Sequence, residues 1–198
     1  MKSMKIQIIA ALLLCIALFS ITAKASVDSV ANMTCNSRTS TYNCMVCNCY
    51  HESRGESLDG MIAVSKVVLS RAASGQYPKS LCKVIYQDAQ FSWTQDRNDN
   101  NIHPNKDNSR ESVIAGIAAC KRATSIAMSE GENGVLFYFN PAKARPRWAR
   151  SMTSCGKLGQ HLFMVQKGET CPRHLGSAAK KATGTGSSKS SSKTRGTR

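Results

Sequence analysis

Apolar residues recur at helical spacing in a segment that begins after position 57. Ser57 or Asp59 is a suitable N-cap, and the predicted helix runs to about Arg71. Its apolar positions are Met61, Ile62, Val64, Val67, Val68 and Leu69. Pro78 is typical of a first helical position, so a short helix is predicted over residues 79–87.

A second long amphipathic helix is predicted later in the chain, where Asn108 or Ser109 is the N-cap and Gly131 the stop signal. Its predicted buried face consists of Val113, Ile117, Cys120, Thr124 and Met128. Two short β-like runs follow at residues 135–139 and 161–165. The pattern therefore predicts an α+β fold that is mainly helical, with a small β-sheet.

The first 25 residues have the composition of a secretory signal peptide. Lys2 and Lys5 precede an apolar run over residues 6–21, and Ala-Lys-Ala at 23–25 is a small-x-small cleavage site. A membrane anchor would need about 20 apolar residues, and this run is shorter. We therefore predict residues 1–25 to be a signal peptide and the mature protein to be secreted (periplasm, cell wall or extracellular space), without a stable membrane anchor.

The C-terminal end has a different composition. From residue 176 onward the chain contains only Gly, Ser, Thr, Ala, Lys and Arg. Such a segment cannot bury enough apolar surface to offset its ordering entropy. Residues 172–198 are therefore predicted to be a disordered basic tail, and residues 26–171 a single folded domain, which we expect to be monomeric.

Eight cysteines remain once the signal peptide has been removed: Cys35, Cys44, Cys47, Cys49, Cys82, Cys120, Cys155 and Cys171. In an exported chain this even number predicts up to four disulfides, with 105 possible pairings. The alternative is a metal cluster on Cys44 and Cys47 with Cys49 or His51. No second well-spaced ligand pair follows, so disulfides are favoured, and no metal or other cofactor is expected.

The formal net charge of +15 is unevenly distributed. Residues 1–25 carry three positive charges and residues 172–198 carry seven, both without an acidic residue. The part between them retains a net charge of +5. The tail is therefore expected to bind anionic envelope polymers. A nucleic-acid partner is not expected, because the tail has no aromatic residues for base stacking and the chain is predicted to be exported.

The sequence YHESRGESLDG at residues 50–60 combines one histidine with two closely spaced glutamates. A zinc protease needs His-Glu-x-x-His, and here Gly55 stands in the second histidine position. A glycosidase needs a carboxyl that stays protonated in a cleft, which Glu52 could supply. Alternatively, Glu52 or Glu56 forms a surface ion pair with Arg54. The stretch alone leaves these two interpretations open.

Three ordered blocks of motif residues extend from position 52 to position 163. They are ESRGE (52–56) with GMIAV (60–64) and VVLSR (67–71), VIYQ (84–87) with QFSWT (90–94), and YFNP (138–141) with PRWA (146–149) and GQHLF (159–163). In order and spacing they resemble the SleB-type cell wall hydrolases, a family that includes spore cortex-lytic enzymes and phage-encoded relatives. Ser53 and Ser70 depart from the family's usual alanine and asparagine, and the many cysteines suggest an added disulfide framework around Glu52.

The resemblance implies a lysozyme-like or lytic-transglycosylase-like domain that cleaves peptidoglycan glycan strands between N-acetylmuramic acid and N-acetylglucosamine. In that chemistry a single glutamic acid protonates the glycosidic oxygen and then, as carboxylate, deprotonates the sugar's own 6-hydroxyl, which gives a 1,6-anhydro product. The family match places this acid/base at Glu52. Glu56 lies beyond Gly55, a residue typical of helix ends, so we assign Glu56 a supporting role in substrate binding.

Further substrate-binding candidates come from the second and third blocks. Gln90, Phe91, Ser92 and Trp93 interleave hydrogen-bonding groups with rings, and at least one ring is expected in the cleft. Tyr138 and Asn140 share one face of a predicted strand and suit an acetamido group, with a structural pair as the alternative. Trp148 and His161 complete the set, with packing or structural roles as the alternatives.

Two other functions remain open from the sequence. One is a water-using muramidase or glucosaminidase on the same fold, in which Asp96 or Glu56 assists Glu52. The other is a cationic cell-wall-binding protein that has lost catalysis.

Overall fold

The computed structural model describes residues 33–104, 109–173 and 175. The predicted signal peptide lies outside the described residues, as does nearly all of the predicted tail. Among the described residues, no helix combines the length and the apolar character needed to cross a bilayer.

Four α-helices form the larger part of the fold. They are α1 (Thr41–Ser53), α2 (Leu58–Ala73), α3 (Leu81–Ile85) and α4 (Arg110–Glu130). Ser40 and Ser57 cap α1 and α2, because their side chains accept hydrogen bonds from backbone N–H groups of the first turn. Helix α4 ends at Gly131, whose φ of 79° lies in the left-handed region that glycine adopts without strain.

A three-stranded antiparallel sheet follows the helices. Its strands are β1 (Phe137–Phe139), β2 (Met152–Leu158) and β3 (His161–Gln166), in the order β1-β3-β2. Tyr138 pairs with Phe163, and a register shift between Ser154 and Gly156 interrupts the β2–β3 ladder. The predicted α+β class, mainly helical with a small sheet, is confirmed.

The predicted apolar face of α4 is only partly correct. Ile117, Cys120 and Thr124 are fully buried, as the helical spacing indicates. Met128 is 42% exposed, so its place on the buried face was wrong. The neighbouring Ala127, which is fully buried, continues the apolar face into the last turn instead.

The core has two parts that meet at α2. The first surrounds α1 and includes Val46, Val68 and Ile117, and the second lies beneath the sheet and includes Val64 and Phe163. Helix α2 contributes to both parts, which explains why its apolar positions occupy more than one narrow face.

Four disulfides link all eight cysteines of the predicted domain, which confirms the disulfide interpretation over the metal cluster. The pairs are Cys35–Cys47, Cys44–Cys82, Cys49–Cys120 and Cys155–Cys171. Three of them have one cysteine on α1, so this helix is covalently attached to the segment before it, to α3 and to α4. Helix α1 is therefore the most strongly tethered element among the described residues.

Candidate active site

Glu52 lies in the last turn of α1, where a four-residue connection leads into α2. The turn uses Gly55, whose φ of 87° favours glycine, and Ser57 starts the next helix. Ser53, the last helical residue, is buried and bonds back to the carbonyl of Cys49 at 2.9 Å. The helix end is therefore fixed, and the Glu52 side chain is half-buried in a cleft between the helices and the sheet.

Tyr138 on β1 is the direct partner of the Glu52 carboxyl. Its hydroxyl donates a hydrogen bond to Glu52 Oε2 at 2.9 Å. Burial raises the pKa of Glu52 above its ordinary value, while this hydrogen bond and the charges of Arg71 and Lys143 act in the opposite direction. The balance favours a carboxyl that keeps its proton to a higher pH than an exposed glutamate does.

Two adjoining hollows meet at Glu52, with volumes of about 510 Å³ and 210 Å³. Both are lined by His51, Glu52, Asn140, Lys143 and His161. The larger extends along residues 89–92, and the smaller extends toward Glu56 and Gln160. A polymer lying through both hollows would pass directly over the Glu52 carboxyl.

Glu56 supports the wall of the cleft. Both of its carboxylate oxygens accept from the backbone N–H of Gln160, at 3.2 and 3.0 Å, and its side chain is only 6% exposed. Gly159 in the β2–β3 turn lets the backbone come this close, since a Cβ there would overlap the Glu56 carboxylate. Glu56 thus attaches the hairpin turn to the connection that follows Glu52.

His161 is a buried neighbour of both Tyr138 and Glu56. Its ring lies edge-on to Tyr138, with centroids 5.0 Å apart, and its Nδ1 is 3.7 Å from Glu56 Oε1. Burial lowers the pKa of His161, while the Glu56 charge acts the other way. A neutral ring packed here holds Tyr138 in position against Glu52.

The structure brings most of the predicted site residues together. Gln90, Phe91 and Ser92 line the larger hollow, as do Tyr138 and Asn140. Asn140 shares the cleft with Tyr138 but donates its amide to Gln160 Oε1 at 3.1 Å.

The two tryptophans lie elsewhere. Trp93 is buried, donates to Asn48 Oδ1 at 3.2 Å and stacks on His51 with a centroid distance of 4.4 Å. Of the two rings proposed for the cleft, Phe91 therefore lines it and Trp93 supports it from behind. Trp148 is 38% exposed and packs against Phe137 and Phe139 on β1. It lies outside the residues that line the two hollows.

Three cleft residues were absent from the predicted catalytic and substrate-binding set. Arg71 is buried, donates from Nε to the Leu136 carbonyl at 3.0 Å and lies 5.3 Å from the Phe91 ring centroid. Lys143 lines both hollows and is exposed. The sequence did contain a signal for Arg71, since this cation stands at the end of an apolar helix. Arginine is rarely buried without a specific role, so its position there could have marked it as a site residue.

His51 is the third. Its Nε2 lies 2.9 Å from the Asn100 carbonyl oxygen. A carbonyl only accepts, so Nε2 carries the hydrogen and Nδ1 remains an acceptor. Burial lowers the pKa of His51, which favours this neutral form. The residue therefore presents a hydrogen-bond acceptor beside Glu52.

A separate hollow of about 330 Å³ lies between α2, α4 and β2, and Lys66 and Glu130 are among its lining residues. These two side chains form an ion pair with a 2.8 Å separation. The Glu52 cleft contains a half-buried acid with a raised pKa, so it is the stronger candidate for chemistry.

The Tyr138–Glu52 hydrogen bond has a testable effect on pH dependence. Tyr138→Phe removes a bond that lowers the pKa of Glu52, so that pKa should rise. The pH at which activity declines on the alkaline side should move upward, and kcat should fall by no more than about tenfold. A pH–rate profile measures both.

Tyr86→Phe is the matched control, because the Tyr86 hydroxyl is buried without a hydrogen-bond partner among the described residues and lies outside the cleft lining. It should leave the profile unchanged. A Tyr138→Phe profile that coincides with wild type would show that the bond does not tune Glu52.

Comparisons with known proteins agree with the motif blocks. A family model described as cell wall hydrolase matches residues 55–164. The spore cortex-lytic enzyme of Oceanobacillus iheyensis is 30% identical over 114 residues, which is 58% of this chain and 37% of that protein. The Bacillus cereus spore cortex-lytic enzyme is 29% identical over 114 residues, 58% of this chain and 40% of that protein. The chain thus spans about two fifths of the length of these relatives.

A solved structure is also similar. The crystal structure of the catalytic domain of the Bacillus cereus SleB protein is 28% identical and aligns with a TM-score of 0.50, covering 63% of this chain and 88% of that one. The family-model match begins three residues after Glu52. The assignment of Glu52 therefore depends on the ESRGE motif and on the geometry of the cleft.

Proposed function

Because this chain belongs to the cell wall hydrolase family, whose model matches residues 55–164, we propose that it cleaves the glycan strands of peptidoglycan with Glu52 as the acid/base. The bond attacked is the one between N-acetylmuramic acid and N-acetylglucosamine. The observation that carries the proposal is a half-buried carboxyl of raised pKa, bonded to Tyr138 at the junction of two hollows.

The chemistry needs Glu52 first as an acid and then as a base. Protonated Glu52 gives its proton to the glycosidic oxygen, and the bond from that oxygen to the muramic anomeric carbon breaks. The carboxylate then removes the proton of the muramic 6-hydroxyl, whose oxygen bonds to the anomeric carbon and closes the 1,6-anhydro ring. The proton returns to Glu52, so the cycle balances without water.

Tyr138 and the nearby cations interact with Glu52 in both its protonated and its ionised form. The hydroxyl bonds to Oε2, which leaves the other carboxyl oxygen for the substrate. Arg71 and Lys143 lower the free energy of the carboxylate once the proton has left, and the dry surroundings favour its reprotonation. These opposing effects on the pKa of Glu52 allow the same carboxyl to donate a proton in the first step and to accept one in the second.

The surroundings of the other carboxylates favour the water-free reaction over hydrolysis. Glu56 has both oxygens bonded to the Gln160 N–H and is nearly buried. Asp96 is exposed and accepts from the N–H of Asn98 in its own loop. Neither is placed as a free base beside Glu52, so we propose a lytic transglycosylase, with the water-using muramidase or glucosaminidase as the alternative.

We also propose that the protein works outside the cytoplasm. Its substrate lies there, and the four disulfides suit an oxidising compartment. A secreted monomer with a basic tail that binds anionic envelope polymers remains the proposal for the whole chain.

Product analysis tests the reaction directly. Purified protein incubated with peptidoglycan should release fragments with anhydro-muramyl ends, lighter by one water than hydrolysed ends, as measured by mass spectrometry. Digestion in water enriched in heavy oxygen should leave the new ends unlabelled. Labelled reducing ends would establish hydrolysis instead, and the absence of any release would contradict the proposed function.

A further inference from the structure

The positive charge of the folded part is concentrated in one short segment. Residues 26–171 hold 17 lysines and arginines against 12 acidic residues, a net charge of +5. Residues 143–150, KARPRWAR, carry four of these positive charges and no acidic residue. We call residues 143–150 the basic loop.

The cations of the basic loop are free to bind a ligand. Lys143, Arg145, Arg147 and Arg150 are all exposed. Within the described ranges 33–104, 109–173 and 175, none of them has a salt bridge or a side-chain hydrogen bond. Four unpaired cations in eight residues create a local positive potential that the rest of the domain does not neutralise.

The basic loop is also continuous with the cleft. Lys143 and Ala144 line the larger hollow together with Glu52. At the other end of the loop, Trp148 packs against Phe139, which itself lines that hollow, with centroids 5.6 Å apart. A chain that leaves the cleft at this end would pass along the loop.

We propose that the basic loop binds the stem-peptide carboxylates of the glycan strand that occupies the cleft, and so directs the enzyme to strands that still carry peptides. This rests on the proposed function, since peptidoglycan bears a carboxylate-containing peptide on its muramic acid residues. These carboxylates are attached to the bound strand, so they are presented to the loop at high effective concentration. A membrane surface or a separate anionic polymer has no such attachment to the cleft.

The test compares soluble glycan oligosaccharides of matched length in two forms. One carries stem peptides with free carboxylates, and the other carries the same stems with the carboxylates converted to amides. The full-length wild type should show a higher kcat/KM on the carboxylate form, by about 3- to 30-fold at low salt for three exposed ion pairs. This preference should shrink as salt screens the charges.

A triple variant isolates the loop. Arg145→Gln, Arg147→Gln and Arg150→Gln together should bring the ratio of the two kcat/KM values close to one. The matched control, Arg38→Gln, Lys83→Gln and Lys167→Gln, removes the same charge from exposed positions away from the cleft lining and should keep the ratio. Equal ratios for wild type, triple variant and control would overturn the inference.

Two further outcomes are kept distinct. If no oligosaccharide is cleaved, the proposed function fails, and calorimetric binding of the two glycan forms then tests the loop by itself. If the triple variant loses binding to vesicles containing anionic phospholipid while the glycan ratio is one in wild type, the loop is a membrane contact and the inference is wrong.

Discussion

Replacing Glu52 with glutamine is expected to reduce glycan cleavage to near background. Glutamine keeps the shape and can still accept the Tyr138 hydrogen bond, but it cannot donate a proton and take one back. General acid–base catalysis contributes about 10²–10⁴-fold, and protonation of a poor leaving group lies at or above the top of that range. Rates of muropeptide release from purified peptidoglycan, with sedimentation on sacculi as the binding assay, measure the loss.

The same variant should be more stable than wild type at neutral pH. The folded-state pKa of Glu52 is raised, so charging this group costs stability as pH rises through that pKa. Glutamine is never charged, so the gain should appear above the folded pKa of Glu52 and vanish at pH values below its unfolded pKa. Melting temperatures of both proteins, measured over a range of pH, test this expectation and also show that the variant folds.

Glu56→Gln is the matched comparison, since it makes the same carboxylate-to-amide change at the other glutamate of the ESRGE motif. It should lose less activity than Glu52→Gln, because an amide oxygen still accepts from Gln160 N–H. Near wild-type cleavage by Glu52→Gln would remove Glu52 from the mechanism. Equal loss in both variants would favour a water-activating role for Glu56.

Breaking the Cys49–Cys120 disulfide should cause the largest loss of stability. It closes a loop of 71 residues and both cysteines are fully buried. A disulfide typically contributes about 2–4 kcal/mol, more for longer loops in the chain-entropy account. The double variant Cys49→Ala with Cys120→Ala should therefore have a melting temperature well below that of wild type. Its activity should also fall, because Glu52 lies one turn beyond Cys49 on α1.

Cys155→Ala with Cys171→Ala serves as the control, because this pair closes a separation of only 16 residues and lies away from α1. It should lose less stability and keep more activity at temperatures where both variants are folded. Calorimetry would measure the stability and muropeptide release the activity. Alkylation under denaturing, non-reducing conditions would count the free thiols. Eight free thiols in the wild type would contradict the disulfide framework.

The sequence predicted α2 and the long helix α4 well, because each has a candidate N-cap and an apolar periodicity, and α4 also has a glycine stop signal. Helix α1 was not predicted as an element. Every residue from Cys44 to Tyr50 is buried, so no polar face marks the helical period, and Asn and Cys are weak helix formers. Disulfides and packing, which depend on distant residues, hold this helix.

Strand β2 was also missed, since its pattern of buried and exposed residues does not alternate and is broken by the irregularity near Gly156. For the site, short motifs placed Glu52, Gln90 and Tyr138 in one candidate set, and the structure brings all three to one cleft. The partners of Glu56 and His51 are backbone groups of Gln160 and Asn100. Side-chain identity gives no signal for such contacts.

The arrangement of the disulfides decides what one proteolytic cut would do to this molecule. The loops closed by Cys35–Cys47, Cys44–Cys82 and Cys49–Cys120 overlap, so any bond broken between residues 35 and 120 leaves both pieces covalently joined. Bonds between residues 120 and 155 lie inside no such loop, and the basic loop falls in this interval. A protease that cleaves after exposed lysine or arginine there would leave the segment with β2 and β3 attached to the part that carries Glu52 only by noncovalent contacts, which include the β1–β3 pairing and packing on α2. The segment proposed to bind the stem peptides is thus also the place where a single proteolytic cut would remove the last covalent connection between the two parts of the domain.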